Sequence, residues 1–132
     1  MSEPVILAEV PVMYVESGTG LAGASQAFDL LEARFLSLRG RKFYGTFERP
    51  AGRYRACTAI KADDDVPRLE LKTWVVPGGK YRRQKLLDWQ TKIADIGKTF
   101  ESMAMQGEPD PDRPGIEYYR SQKELVLFLP VK

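Results

Sequence analysis

The stretch PGIEYYRSQKELVLFLPVK, residues 114–132, decides how the whole sequence is interpreted. Two β-prone runs, GIEYYRS and ELVLFLPV, flank a short polar turn, and this pattern predicts a β-hairpin. The second run is apolar on both faces, so we expect the hairpin to lie near the centre of a covered sheet. Side chains alternate along a strand, so Glu117 and Tyr119 share one face of the first run. The sequence therefore places a carboxylate beside the most apolar strand of the chain.

Such a carboxylate has two interpretations. If Glu117 is buried, a raised pKa, a hydrogen bond or a cation must neutralise its charge, and tyrosine hydroxyls or a cationic ligand would serve. If Glu117 lies at a strand end, it points to solvent, as most glutamates do. The first interpretation predicts a ligand site, and the second does not.

Two amphipathic helices are predicted upstream of this hairpin. The first spans residues 24–38 and is followed by Gly40, a natural stop signal. Its apolar residues recur at helical spacing: Phe28, Leu31, Phe35 and Leu38. The second spans about 89–105, and only Gly97 weakens its apolar stripe. That stripe consists of Trp89, Ile93, Ile96, Phe100 and Met103. Each helix can bury one stripe, so each must cover a sheet.

The predicted strands repeat in the two halves of the chain. Residues 5–15 and 69–76 each form a strand associated with a Val-Pro pair, and Pro11 predicts a bend or an edge position there. Each Val-Pro strand is followed by one helix and one hairpin, and the first hairpin consists of KFYGTF and YRACTAIKA. We therefore predict a single domain over 1–132 made of pseudo-repeats at about 1–66 and 67–132, with a cleft between them. The alternative is two unrelated halves of similar secondary structure.

Composition narrows the range of functions. The net charge is +2, with 20 basic and 18 acidic residues, which is too balanced to indicate a nucleic-acid partner. Histidine is absent, which removes the usual general base, haem ligand and zinc ligand, so we expect no cofactor and no metal. A single cysteine, a start unlike a signal peptide and the lack of a long apolar run predict a cytoplasmic protein without a membrane partner.

Three further features are interpreted structurally. DDD at 63–65 lacks the alternate spacing of a calcium loop, so we expect a solvated loop. KYRRQK at 80–85 is interpreted as an exposed strand edge; the alternatives are a cationic lip for an anionic ligand and, more weakly, a nucleic-acid contact. Cys57 is expected to be a small buried side chain rather than a nucleophile.

Five stretches of the chain resemble, in order and spacing, the gyrase-inhibitor-like (GyrI-like) small-molecule-binding domain. They are VPVMYVESG, FYGTFERPAGRYRACTAIKADDDVP, LKTWVVPGGKY, PGIEYY and ELVLFLPVK. The same domain is the effector-binding domain of many bacterial AraC-type and MerR-type regulators. The resemblance implies an α+β fold of duplicated strand–helix–strand–strand (SHS2) modules, with an antiparallel sheet, two helices on one face and a cleft between the modules. Because the domain fills all 132 residues, we expect the stand-alone form without a DNA-binding role.

The resemblance also implies site residues. Glu117 matches the family's central acidic residue, Tyr44 matches an aromatic wall position, and Tyr81 falls near another. The other aromatic residues predicted to bind ligand, for which core packing is the alternative, are Tyr14, Trp74 and Tyr119.

Three functions remain open at this point. The first is stand-alone binding of an apolar, cationic or aromatic small molecule, of the multidrug-binding kind, by a buried glutamate in an aromatic cleft. The second, implied by the resemblance, is a hydrolase of electrophilic, cyclopropanoid-type compounds with Glu117 and Tyr44 as catalytic residues. The third is a protein-interaction role such as gyrase inhibition, which needs no pocket. The expected partner is a small-molecule ligand, and the oligomeric state is not indicated.

Overall fold

The computed structural model describes residues 3–49 and 51–132, and its centre is an eight-stranded antiparallel sheet. In chain order the strands are β1 (Val5–Leu7), β2 (Val10–Glu16), β3 (Phe43–Glu48), β4 (Arg53–Ala59), β5 (Lys72–Val76), β6 (Gly79–Leu87), β7 (Gly115–Tyr119) and β8 (Glu124–Pro130). Their order across the sheet is β1-β6-β8-β7-β3-β4-β2-β5. The predicted α+β fold with an antiparallel sheet is therefore confirmed.

The hairpin that ends the chain lies near the middle of the sheet. β7 is hydrogen-bonded to β8 on one side and to β3 on the other. β8 is buried along almost its whole length, because both of its faces are covered. Around the β3–β7 pair the strand order is symmetric: β1 to β4 of the first half mirror β5 to β8 of the second. This is the order expected of two repeats joined across a pseudo-twofold axis, and the duplication itself stays a prediction.

The helices are α1 (Ala24–Glu32), α2 (Val66–Leu69) and α3 (Ile93–Ala104). α1 packs on the sheet through Ala27 and Leu31, and α3 packs through Met103 against the alternate leucines of β8. The register from β4 across β3 and β7 to β8 puts these contacts on the same face of the sheet, so both long helices cover one face, as predicted. No helix within the described ranges is long and apolar enough to cross a membrane.

One boundary of each long helix differs from the prediction. The first helix ends at Glu32 instead of Leu38, although Phe35 still packs against the core from the loop, with the Arg41 guanidinium 3.8 Å from its ring centroid. The second begins at Ile93, because Trp89 lies in a separate 3₁₀ turn and donates its indole N–H to the Ser121 carbonyl. Apolar spacing continues past a helix end wherever the adjoining loop also packs on the core.

Two predicted strand boundaries also shift. Residues 5–15 split into β1 and β2 before Pro11, which lies inside β2. At the break, Gly78 approaches the backbone so closely that a Cβ there would lie 2.7 Å from the Leu7 carbonyl oxygen and the Glu9 nitrogen. Residues 66–69 form the short helix α2, capped by the Asp65 carboxylate, so β5 starts at Lys72 instead of 69.

The acidic loop at 63–65 and the basic segment at 80–85 differ in part from their predicted surroundings. Asp64, predicted to be solvated, is buried in an ion pair with Arg41, whose hydrogen bond holds the pKa of that carboxyl below its usual range. Within the described residues no group of three or more acidic or cysteine side chains could hold a metal ion. The 80–85 segment lies in β6, where the described pairing with β1 ends at Tyr81, so the predicted edge begins only at Arg82.

The second face of the sheet carries its own apolar core. Its buried members are Val12, Cys57, Val76, Tyr81, Ile116, Val126 and Phe128. Cys57 is a free, fully buried thiol, as predicted, and burial raises its pKa to about 12. The central strands are thus buried on both faces, and a buried polar side chain there must find its partners within the protein.

Candidate functional site

Glu117 is a buried carboxylate on the helix-covered face of β7. It stands opposite Gly45 of β3 on one side and Leu127 of β8 on the other, and it is 6% exposed. Central strands and the helices above them exclude water from most of the side chain. The buried interpretation of Glu117 therefore describes this structure.

Two tyrosine hydroxyls hold the carboxylate. Tyr54 of β4 donates a hydrogen bond of 2.6 Å to Glu117 Oε1, and Tyr119 of β7 donates one of 2.8 Å to the same oxygen. Tyr54 must reach across β3 to do so, and Gly45 makes this approach possible. A Cβ at Gly45 would overlap both the Tyr54 hydroxyl and Glu117 Oε1. A glycine inside a strand is thus required here by a close side-chain contact.

The surroundings of Glu117 disfavour the charged form of its carboxyl relative to a carboxyl in water. Burial raises the pKa of Glu117, and the hydrogen bonds from Tyr54 and Tyr119 oppose that rise only in part. Among the described residues no positively charged side chain contributes to this balance. Burial and the neighbouring Glu117 charge raise the pKa of both tyrosines as well, so both remain protonated and act as hydrogen-bond donors.

A cavity of about 600 Å³ opens above Glu117. Glu117, Tyr54 and Tyr119 form its polar floor. Its walls are mainly apolar and include Phe47, Ile96, Phe100, Leu129 and Pro130. Its volume lies within the usual range for small-molecule sites, about 300–1,000 Å³. The arrangement is an aromatic and aliphatic chamber with one acidic group at its base.

Helix α3 leaves room in this chamber at one position. Gly97 lines the cavity, and a Cβ placed on it would meet nothing within 4 Å. The glycine that weakens the predicted helix therefore enlarges the space over the carboxylate. One turn further along the same helix, the Phe100 ring lies 3.5 Å from the position a Cβ would take on Gly115, so this ring packs directly on β7.

The mouth of the cavity is partly built by the loop that precedes β7. Arg113 pairs with Asp110 at 3.1 Å and donates a 2.8 Å hydrogen bond to the Val131 carbonyl. The backbone N–H of Asp112 and the Arg113 guanidinium lower the pKa of Asp110. Arg49 and Glu101 are the other charged residues at the mouth. This loop is therefore fastened to the sheet, and its guanidinium is committed to protein partners.

The structure brings together only two of the predicted site residues, Glu117 and Tyr119. The other four lie on the opposite face of the sheet: Tyr14, Tyr44, Trp74 and Tyr81. Tyr44 neighbours Gly45, but strand alternation turns it away from Glu117, and its ring stacks on Tyr118 with centroids 5.0 Å apart.

The remaining aromatic predictions have structural partners on that second face. Tyr81 is fully buried and donates its hydroxyl to the Pro77 carbonyl at 2.6 Å. The Trp74 ring lies 4.2 Å from the Arg55 guanidinium carbon, and the Tyr14 ring lies 5.2 Å from it. These contacts are cation–π packing within the protein. A site between Tyr44 and Glu117 is therefore not formed.

Sequence reasoning missed Tyr54, Gly45 and most of the wall. Gly45 did carry a signal, because an isolated glycine in a predicted strand indicates a close approach by other atoms. Gly97 carried a similar signal on α3. Tyr54 carried none, since its contact with Glu117 depends on which strands pair and in what register.

No family model and no curated protein matches the chain. Solved structures of similar fold include the integron cassette protein VCH_CASS2 from Vibrio cholerae, at 16% identity and a TM-score of 0.70, over 98% of this chain and 95% of that one. SAV2435, solved bound to tetraphenylphosphonium, matches at 15% identity with a TM-score of 0.62, over 100% of this chain and 94% of that one. A hydrolase from Listeria innocua matches at 15% identity with a TM-score of 0.60, over 98% of this chain and 90% of that one. The chain thus shares its whole fold with these three proteins.

Proposed function

We propose that this protein binds organic cations with an apolar or aromatic body, in the cavity above Glu117. The observation that carries the proposal is a buried carboxylate at the base of an apolar chamber, held by two neutral hydroxyls and by no described cation. A buried charge without a counter-ion is costly, and a bound cation would supply the missing partner.

The walls of the cavity suit the body of such a ligand. Phe47 and Phe100 offer aromatic faces, and each cation–π contact contributes about 0.5–2 kcal/mol. The aliphatic residues of α3 and β8 add apolar surface, which stabilises a bound ligand by roughly 25 cal/mol per Å² removed from water. The likeness in fold to SAV2435, which was solved with tetraphenylphosphonium, supports the same class of ligand.

Calorimetric titration of two ligands tests the proposal. Tetraphenylphosphonium is an aromatic cation, and triphenylphosphine oxide is a smaller neutral aromatic compound. Replacing Glu117 by glutamine should weaken binding of the cation by roughly tenfold or more, because it removes the negative charge that would pair with the cation at the floor of the cavity. Binding of the neutral compound should change by less than about twofold.

The matched control is Tyr44→Phe, which changes a hydroxyl on the opposite face of the sheet. It should leave both affinities unchanged. Equal losses for the two ligands on Glu117→Gln would remove the carboxylate from the contact with the cation.

A second candidate is hydrolysis of an electrophilic small molecule. One observation favours it: the raised pKa of Glu117 suits a general acid or base, and the cavity beside it has room for a substrate and a water. The hydroxyls that would assist are those of Tyr54 and Tyr119, because Tyr44 lies on the other face.

Turnover of a panel of cyclopropane-bearing and ester substrates tests this candidate. If Glu117 is the acid–base group, Glu117→Gln should lower kcat by about 10²–10⁴-fold, while Tyr44→Phe should leave it unchanged. Absence of turnover across the panel would reject the hydrolase and leave the binding function intact.

A further inference from the structure

The two oxygens of the Glu117 carboxylate have different surroundings. Both described hydrogen bonds, from Tyr54 and from Tyr119, end on Oε1. Oε2 receives none of the described hydrogen bonds. A few side-chain polar atoms have neither a hydrogen-bond partner nor contact with solvent, and Oε2 is not one of them, which indicates that it is open to solvent. Since Glu117 is otherwise buried and lines the cavity, Oε2 is the atom that this carboxylate presents to a ligand.

The tyrosines are fixed in this one-sided arrangement. The Tyr119 ring is held edge-on between Phe28 and Trp89, with centroid distances of 5.2 and 5.1 Å. Tyr54 is fully buried and also contacts Phe28 edge-on, at 6.3 Å. These ring contacts hold both hydroxyls on the Oε1 side of the carboxylate. Among the described residues, Oε1 accepts both hydrogen bonds and Oε2 accepts none.

Two kinds of cation would use this acceptor differently. A quaternary ammonium or phosphonium ion carries its charge behind carbon substituents, so it gains only a Coulomb attraction across that distance. A protonated amine can donate N–H directly to Oε2 at about 2.7–2.9 Å, and such charge-assisted hydrogen bonds are roughly twice as strong as neutral ones. The water-poor surroundings strengthen that bond further.

Resting on the proposed function, we infer that Oε2 of Glu117 selects protonated amines over permanently charged cations of the same shape. The ligand class is then an aromatic or apolar amine with at least one N–H⁺ group. Its ammonium group lies at the floor of the cavity, and its apolar body lies between β3 and α3.

Two matched ligands test this inference by calorimetric titration at neutral pH. One is 4-biphenylmethyl-dimethylamine in its protonated form, and the other is its quaternary trimethylammonium counterpart. The alcohol 4-biphenylmethanol provides a neutral reference. The quantity of interest is the ratio of the two cation Kd values, measured in the native protein and in Glu117→Gln.

We expect the protonated amine to bind roughly tenfold tighter than the quaternary ion in the native protein. The additional methyl group favours the quaternary ion through apolar burial, so a preference for the amine cannot come from size. In Glu117→Gln the preference should disappear. The glutamine side chain carries no negative charge, and at the position of Oε2 it presents either an uncharged carbonyl oxygen or an NH2 group that cannot accept a hydrogen bond. Tyr44→Phe should preserve it.

A quaternary ion that binds as tightly as the amine, or a preference for the amine that survives Glu117→Gln, would overturn the inference. The proposed function fails in a different way. If neither cation binds more tightly than 4-biphenylmethanol in the native protein, the cavity does not recognise charge at all. If both cations do so and lose equally on Glu117→Gln, cation binding holds and only the N–H selection is refuted.

Discussion

Replacing Glu117 by glutamine should make the ligand-free protein more stable at neutral pH. Glutamine has the same shape, and its amide oxygen can accept the hydrogen bonds of Tyr54 and Tyr119. The substitution removes a buried charge that has no described counter-ion. By linkage, each unit by which burial raises the pKa of this carboxyl, up to the pH of the experiment, corresponds to about 1.4 kcal/mol of stability that the native protein loses and the glutamine variant keeps. For a chain of 132 residues this corresponds to a rise in Tm of about 3–4 °C for each kcal/mol.

The same reasoning fixes the pH dependence of the effect. Burial raises the pKa of Glu117 above its usual value of 4.5, so the folded protein binds this proton more tightly than the unfolded chain. Well below pH 4.5 the carboxyl is neutral in both states, and glutamine should give no advantage. As the pH rises from about 4.5 to the raised pKa of the folded state, the unfolded chain releases the proton first, so the native protein loses stability and the glutamine variant does not. The advantage of the variant should therefore grow with pH and then level off.

Urea unfolding of both proteins across this pH range measures the difference in the free energy of unfolding. Glu9→Gln is the control, because Glu9 is exposed and its substitution should change the stability little. A glutamine variant that is less stable than the native protein at neutral pH would refute the reasoning. So would an advantage that remains the same in acid, since the gain would then not come from the charge.

Three further predictions concern positions around the site. Gly45→Ala should lower the free energy of unfolding by about 1–3 kcal/mol in urea titration, because the added methyl group overlaps the Tyr54 hydroxyl. Unchanged stability would show that the neighbouring side chains can move to make room for it. Gly97→Leu should abolish binding of tetraphenylphosphonium in calorimetry, because the leucine side chain projects into the cavity. Its thermal stability should hold or rise, since leucine favours a helix by up to about 1 kcal/mol over glycine. Gly97→Ala is its control, and equal ligand affinity in the leucine variant would contradict the assigned cavity. Cys57 should react with a thiol reagent only after unfolding, because burial raises its pKa to about 12, and rapid labelling of the native protein would contradict that burial.

The position of the last hairpin could be predicted because its cause lies in the residues themselves. A strand as apolar as β8 on both faces can be stable only where both faces are covered, which places it inside the sheet. Strand alternation then puts Glu117 and Tyr119 on one face, whatever the neighbouring strands are. These features depend on a local pattern, and they appear in the structure without adjustment.

The partners of Glu117 could not be predicted, because they depend on register. Gly45 faces Glu117 only because β3 pairs with β7 as it does, and a shift of one residue would bring Tyr44 to the helix-covered face instead. Tyr54 reaches the carboxylate from β4, with β3 between them. The chain holds no local pattern that sets a contact across three strands. The family resemblance and the aromatic content pointed to Tyr44 and Tyr81, which the structure places on the other face of the sheet.

The helix ends illustrate a related limit. Phe35 continues the apolar spacing of α1 and packs on the same core, but it does so from a loop. Apolar spacing reports which side chains are buried, and a loop that returns to the core can preserve it. The true end at Glu32 was therefore not visible in the hydrophobic pattern.

The proposed binding site lies at the joint between the two halves of the chain. Gly45 and Tyr54 belong to the first half, while Glu117 and Tyr119 belong to the second, and the four meet where β3 pairs with β7. Neither half alone can provide both the carboxylate and the two hydroxyls that hold it. A negative charge on Glu117 would lie at the centre of this joint, where burial disfavours it. A cation that pairs with Glu117 would remove that cost and contact strands of both halves, so the bound state should be the one in which the sheet is most stable.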